Sequence, residues 1–368
     1  MATGQERTRG VVRPFRARIV RQECAAQNVS PMFDALQPSE HALALDARRG
    51  PPRGVDPDAY AESAAALFVY RLRRGDDEHV GVVGEVRAEA FVDGHVRGHE
   101  AVQPDRVEAL VQRFAGAPAR SELVALLHRA GPGVAVAVAE TRRSQPVIRF
   151  IGADGLEQTV WRVPGSVSRM LSKELSAAVH YIADGHHRVA ASLREWQLAG
   201  RPSDAGVLCV IYPLEGLRLS AFHRRVAGRM HASHLLGFLS NEFDVHDIAH
   251  PDEATGCFGL YVDGRWFDAS YHGVRSPGAA GLDIAVLNDE VLEPLLGVGA
   301  QAAARLEIAP ALTSLTELTQ RCDQDGGALF ALRPPTLDQL MDVADRGEVM
   351  PPKTTYFDPK PYAGIFLR

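Results

Sequence analysis

Apolar positions in this chain fall into short alternating runs and helical stripes separated by Gly, Pro and acidic turns, so strands and helices are expected to mix throughout. Residues 11–20, VVRPFRARIV, predict a short strand interrupted by Pro14, and residues 30–40, SPMFDALQPSE, predict a turn leading to a helix start. A loop rich in Gly, Pro and Arg follows at residues 47–57 and marks a weak boundary. DAYAESAAAL (58–67) reads as a helix, and FVYRLRR (68–74) and VGVVGEVRAEAF (80–91) read as the arms of a hairpin turning at Gly75-Asp76-Asp77. In residues 104–117, Val107, Leu110, Val111 and Phe114 keep the i, i+3, i+4, i+7 spacing of an amphipathic helix. The alternation VAVAVAE (134–140) predicts a strand, as do PVIRFIG (146–152) and GLEQTVWRV (155–163).

Residues 168–200 are the most informative stretch. A helix leads to the apolar run VHYIA, the run stops at Asp184-Gly185, and VAASLREWQL resumes with helical spacing, which makes a strand, a tight turn and a helix. VLCVIYPL (207–214) then predicts a buried strand and LRLSAFHRRV (217–226) a second. Beyond about residue 245 the composition changes to mixed helices and short strands, so the expected domains are 1–245 and 246–368. In the later part GLYVDGRWFDASY (259–271) is a hairpin with an Asp-Gly turn, LDIAVLNDEVLEPLLGV (282–298) a helix and GALFALRPP (327–335) a strand. LDQLMDVADRGE (337–348) is a further helix, and MPPKTTYFDPKPYAGIFLR (350–368) a tail punctuated by prolines.

The candidate chemistry gathers at Asp184-Gly185-His186-His187-Arg188. Gly185 lets the backbone turn sharply, and the N–H groups of the helix's first turn form an anion site. Two histidines and an arginine add donors, Arg188 being able to grip phosphate with two parallel hydrogen bonds. Asp184 either caps the helix or holds Mg²⁺ against phosphates. Adjacent histidines point apart on a helix, which argues against a zinc site made of Asp184, His186 and His187.

Other positions offer supporting roles. Glu100 follows a Gly-rich hairpin edge and precedes a helix, so it is either a solvated surface carboxylate or a base for a substrate hydroxyl. His223 and Arg224 end a strand, as a surface basic pair or as further phosphate ligands. Lys353, Thr354 and Tyr356 lie in a Pro-bounded loop that either lids a pocket, with Lys353 a point charge on phosphate, or is a structural tail fixed by Pro351-Pro352. Ser30 and Asp34 are candidate pocket residues, with capping of a helix the competing role for Ser30.

The 368 residues suffice for one large core or two moderate ones, at about 150 residues per domain. Forty Lys and Arg against 46 Asp and Glu give −6, with pI near 6.2, so no overall basic field draws the chain to nucleic acid or anionic lipid. Cys24, Cys209, Cys257 and Cys322 lie far apart without metal-binding spacing and read as buried thiols in a reducing compartment. The basic start lacks the apolar core of a secretory signal, and no stretch reaches the roughly 18 apolar residues of a membrane span. A cytoplasmic protein is expected.

HYIADGHHRVAASL resembles the signature of the DUF1015 proteins. VVRPFRA looks like that family's opening segment and SPMFDAL like its P-P-Y-D-V motif, with Phe33 where Tyr is commoner. His99-Glu100 with Pro104-Asp105-Arg106 is similar to its H-E-x-T…P-x-x-D-R stretch, in a shortened form that loses the Thr and a Lys. His223-Arg224 falls where the family has Thr-His-Arg, and LDIAVLNDEVLEPLLG and MPPKTTYFDPKPYAGIFL match its C-terminal blocks. The DGHHR block is also similar to that of free-serine kinases built on the ParB/sulfiredoxin-like fold. These resemblances imply an α/β (α+β) fold with a ParB/sulfiredoxin-like mixed-sheet core around the strand–turn–helix unit, elaborated by a C-terminal α+β region. They imply a kinase that uses ATP or ADP, with Mg²⁺, on the hydroxyl of a small metabolite, serine-like. Glu100 and Asp184 would be catalytic, and Gly185, His186, His187, Arg188, His223, Arg224 and Lys353 would bind phosphate. His99, Ser30, Asp34 and Tyr356 would bind substrate. The alternative is a ParB-like nucleotide-binding switch without kinase activity, homodimer formation being left open.

Overall fold

A ladder of buried strands forms because the Val-, Ile- and Leu-rich runs are too short and too apolar to face water on either side. The structure, a computed structural model, describes residues 10–31, 57–116, 119–129, 131–152, 154–297, 304–309 and 312–368. The chain divides into two units: residues 1–98, 102–218 and 359–368 in the first, and residues 99–101 and 219–358 in the second. The expected boundary near residue 245 lies inside the second unit.

The first unit is built on a nine-stranded mixed sheet. Its order is Val96–Arg97, His180–Asp184, Val124–His128, Gly206–Pro213, Asp77–Arg87, Phe68–Arg74, Glu157–Arg162 and Ile148–Ile151, with Val12–Arg13 pairing on Asp77–Arg87. His180–Asp184 runs parallel to Val96–Arg97, which pairs with His180 and Tyr181, and antiparallel to Val124–His128, which pairs along to Asp184. Val69, Val82, Leu126, Ile182 and Ile211 form one core with Leu171 and Leu175 of the helix Gly165–Ala177. The second unit holds a six-stranded antiparallel sheet, ordered Phe243–Ile248, Arg265–Tyr271, Phe258–Val262, Ala328–Leu332, Arg224–Val226 and Leu306–Ile308. Its hairpin turns at Asp263-Gly264, both residues at positive φ as a two-residue turn of this hand requires. Among the described residues no helix is long and apolar enough to cross a membrane.

Two expected elements exchange identity. Tyr60–Ala66, expected to be helical, is a strand on Phe15–Val20, with Val20 opposite Tyr60 and Phe15 opposite Ala66. The buried Tyr60 anchors it by donating its hydroxyl to the Gly364 carbonyl at 2.9 Å. Alanine's advantage in a helix is a few tenths of a kcal/mol per residue, which a ladder of backbone hydrogen bonds and a buried aromatic overrides. Conversely Pro132–Thr141, expected to be a strand at VAVAVAE, is a helix. Pro132 begins it in the first turn, where its missing N–H costs nothing, and burial falls on Val134, Ala137 and Thr141, a helical stripe within an alternating sequence. LRLSAFHRRV is likewise two strands, Arg218–Ser220 and Arg224–Val226, rather than one, and the helix from Asp283 widens into a π turn at Asn288–Leu292.

The central strands carry a titratable pair. His128 and His180 are register partners with rings 5.8 Å apart, and both are buried. Burial pushes each from 6.5 down to about 4, although His180 keeps a 2.8 Å hydrogen bond from Nε2 to the Leu175 carbonyl. Between pH 6.5 and 4 the unfolded chain therefore binds more protons than the folded one, so stability falls as pH falls through that window. The loss is on the order of 3 kcal/mol per residue. His128→Phe is expected to flatten the decline of urea-unfolding stability between pH 7 and 4.5; an unchanged slope sinks the assignment.

Candidate functional site

The signature strand His180–Asp184 is wholly buried, and its register against Val124–His128 slips between Ile182 and Asp184, just before the turn. Gly185 follows at φ 106°, ψ 26° and takes the cap position of the helix His186–Leu198, with no side-chain cap. A side chain there would be strained by the backbone angle, and its Cβ would lie 2.8 Å from Arg188 Nη2 and 2.9 Å from Nε. Only glycine leaves that space to the guanidinium.

Arg188 uses it to meet Asp184 one turn back, and the other carboxylate oxygen of Asp184 meets the Lys360 ammonium. The capping alternative for Asp184 thus gives way to a pair of ion contacts. The three side chains are 6%, 11% and 13% exposed, so the carboxylate sits largely out of water with two cations on it. These charges lie beside the first-turn N–H groups of a helix, which are themselves suited to an anion.

The histidines have different settings. His187 Nε2 accepts from the Gln103 amide at 3.0 Å, which ties the turn to the start of the helix Pro104–Gly116 and leaves Nδ1–H as the donor of the neutral ring. His186 is buried, and its ring crowds Gly98, where a Cβ would come within 3.2 Å of Cδ2. Ser30 lies in this unit too, exposed and paired with Ala363 in a short ribbon three residues beyond Lys360. Asp34 and Phe33 lie outside the described residues.

The second unit gathers the remaining candidates. Glu100 is exposed and bridges Met350, the Met350 amide donates to the His99 carbonyl at 2.8 Å, and His99 Nε2 lies 3.3 Å from Thr355 Oγ1. The buried Arg224 holds the same loop, donating to the Phe222, Pro352 and Lys353 carbonyls at 2.9, 3.0 and 3.1 Å. Its guanidinium is therefore a clamp on the MPPK backbone, and burial lowers it to about 10, still charged at neutral pH. Burial, with the Arg224 charge beside it, lowers His223 to about 4, so its ring is neutral there. Lys353 adopts a positive φ of 57°, with Nζ 5.6 Å from the Phe222 ring centre, and Tyr356 meets Phe222 edge-on at 5.9 Å.

Lys360 was not foreseen. The only local signal for it is its place between Pro359 and Pro361, which fix the path of the tail. Among the described residues no three His, Cys, Asp or Glu side chains form a metal-holding group. As paired, Asp184 does not fit Mg²⁺ either: a divalent ion on either oxygen would meet the charge of Arg188 or Lys360.

A family model described as "Protein of unknown function (DUF1015)" matches residues 60–285, more than half of the chain. The chain belongs to the DUF1015 family. No curated protein matches it. Among solved structures it is similar to a mutant free serine kinase in complex with AMP, at 15% identity over 75% of this chain and 86% of that one, with a TM-score of 0.40. A conserved hypothetical protein from Pyrococcus furiosus is 16% identical over 78% and 93% of the two chains, TM-score 0.37. SbnI with C-terminal truncation from Staphylococcus aureus is 12% identical over 75% and 82%, TM-score 0.39.

Of the candidates in this DUF1015 protein, His99, Glu100, the Asp184–Arg188 turn, His223 and Arg224 lie within the family match, while Ser30, Lys353, Tyr356 and Lys360 lie beyond it. Asp184→Asn removes the charge that two cations share and is expected to lower unfolding stability by about 3–5 kcal/mol. Gly185→Ala is expected to lower it by about 1–3 kcal/mol through backbone strain. Chemical denaturation measures both, and a silent Asp184→Asn would deny the ion contacts their structural weight.

Proposed function

We propose that this DUF1015 protein is a nucleotide-dependent kinase, using ATP or ADP, that phosphorylates the hydroxyl of a small serine-like metabolite. The observation that carries the proposal is the turn from strand to helix itself, where the left-handed Gly185 leads into the first-turn amides of the helix His186–Leu198 with Arg188 and Lys360 on the Asp184 carboxylate. Phosphates are the common small anions that such a turn accommodates. In this reading the strand–turn–helix belongs to a ParB/sulfiredoxin-like core, residues 1–245 carry the nucleotide chemistry, and residues 246–368 contribute an active-site loop. The free thiols of all four cysteines accord with work in the cytoplasm.

In the proposed reaction Glu100, exposed on a loop, takes the proton of the acceptor hydroxyl. The oxygen then bonds to the terminal phosphorus as the bond to the departing nucleotide breaks. Arg188, the Gly185–Arg188 amides, His186 and the Nδ1–H of His187 spread the charge on the phosphate oxygens, and Lys353 adds a point charge. His223 and Arg224 act through the loop they hold, and His99, Tyr356, Ser30 and Asp34 shape the acceptor site. Asp184 is a positioning residue that aims Arg188 and Lys360. Mg²⁺ belongs to this scheme as an ion carried by the nucleotide.

One observation favours the second reading, a ParB-like nucleotide switch without turnover: the Asp184 carboxylate is already engaged by two cations. Glu100→Gln separates the two. Calorimetric binding of ATP or ADP is expected to survive the change, while phosphorylated product, read by mass over a panel of hydroxy amino acids, falls by about 100-fold or more. Arg188→Lys keeps the charge but not the fork and is expected to weaken nucleotide binding by about 1.5–3 kcal/mol. No heat with either nucleotide at millimolar concentration rejects both readings; heat without product from the unaltered protein leaves the switch.

A further inference from the structure

The six-stranded sheet of the second unit ends at Phe243–Ile248, which among the described residues pairs only with Arg265–Tyr271. The ladder between these strands is regular, with His246 opposite Asp268 and no slip in register. Antiparallel pairing turns the N–H and C=O of alternate residues toward the neighbour and those of the residues between them away from it. The His272 amide donates to the Glu242 carbonyl at 3.2 Å, so the even-numbered residues of this strand face Arg265–Tyr271. Phe243, Val245 and Asp247 therefore present their backbone groups outward. The Ala249 amide, next in that series, donates to the Glu253 carboxylate at 3.3 Å, which ends the open stretch. A six-residue edge without proline or bulge is a template for another strand.

The side chains specify the partner. Asp244 and His246 are exposed on one face of the edge, and among the described residues neither side chain forms an ion pair or a hydrogen bond. We infer that a second copy of this chain pairs antiparallel with this edge, about a two-fold axis at Val245. Outward-facing residues bond only to outward-facing residues, so odd-numbered positions must stand opposite odd-numbered ones. With the axis at Val245, Asp244 stands opposite His246 of the partner subunit, and His246 opposite the partner's Asp244. Both are the closer, non-hydrogen-bonded pairs of the ladder, where side chains meet. The carboxylate accepts from an imidazole N–H, which the ring carries in either protonation state. An axis at Asp244 would set two carboxylates face to face, and one at His246 two imidazoles, so the charges select Val245. Asp247, which stands opposite the partner's Phe243, brings a charge already met by Arg265 at 2.6 Å. The edge is thus complementary to itself, as a two-fold interface between like chains requires. A single strand pair buries less than the roughly 1,200 Å² at which standard complexes begin, so the dimer is weak and concentration-dependent. The pairing requires no nucleotide and stands apart from the kinase reading.

Sedimentation velocity of the full chain, from low micromolar to a few hundred micromolar, tests the pairing. The unaltered chain is expected to pass from monomer to dimer, with hydrogen exchange of the Val245 amide slowing in step. His246→Glu sets carboxylate against carboxylate at both close pairs and is expected to weaken the dimer about tenfold or more. Combining Asp244→Lys with His246→Glu restores opposite charges in the swapped order and is expected to recover most of that loss. Such recovery is not the behaviour of a substitution that merely disturbs the fold. A monomer at every concentration overturns the inference, as does a dimer that His246→Glu leaves intact or that the double variant fails to restore. A dimer in which the Val245 amide exchanges as fast as in the monomer is formed at another face, and it overturns the inference too.

Discussion

A carboxylate withdrawn from water at the end of a central strand needs positive charge beside it, and the first unit is arranged around meeting that need at Asp184. One cation comes from the turn itself, since Arg188 lies one helical turn beyond the strand. For its guanidinium to fold back, the residue between them must lack a side chain and must accept a left-handed backbone, and Gly185 meets both conditions. The other cation comes from the last ten residues, where Lys360 reaches the same carboxylate and Ala363 pairs with Ser30. One buried charge therefore determines the shape of the turn, the rotamer of Arg188 and the course of the C-terminal tail.

The second unit solves a similar problem with backbone acceptors. Buried Arg224 has its charge solvated by three carbonyls, two of them from Pro352 and Lys353. Lys353 sits in a conformation that disfavours non-glycine residues, and such strain persists only where neighbours over-determine it. The clamp from Arg224, the Met350 amide on His99 and the His99–Thr355 contact are those neighbours. The segments around His99, Arg224 and Met350 are far apart in sequence and form one structural assembly. Its exposed product is Glu100, a carboxylate on a rigidly held backbone.

Legibility of the fold followed the ratio of local to long-range information. The Gly75-Asp76 and Asp263-Gly264 hairpins and the helices Pro104–Gly116, Gly165–Ala177 and His186–Leu198 carry their own turn chemistry or apolar stripe, and they stand where the pattern places them. Tyr60–Ala66 and Pro132–Thr141 do not, because alanine-rich and alternating Val/Ala sequences are compatible with both periods. Their identity is settled by what they meet: a partner strand for one, a helical stripe of burial opened by Pro132 for the other. Val124–His128, buried on both faces, offers no alternation at all and was not anticipated as a strand.

The sequence by itself determined the strand–turn–helix at Asp184–Arg188, because a glycine after an apolar run and before a helical stripe admits few other backbones. It also determined that the chain has no overall attraction for polyanions, since net charge is a sum over residues. Tertiary structure decided which of those residues are engaged and by what. Asp184 is neither cap nor solvent-facing acid because Lys360, 176 positions away, arrives at its second oxygen. Arg224 is a clamp because carbonyls from residues 352 and 353 surround it. Arg333 is anchored by the carbonyls of Thr255 and Gly256, a contact that no local spacing marks. The physical reason is common to these cases: a polar or charged side chain takes its role from the counter-charges and hydrogen-bonding groups within a few ångströms, and the fold brings those from anywhere in the chain.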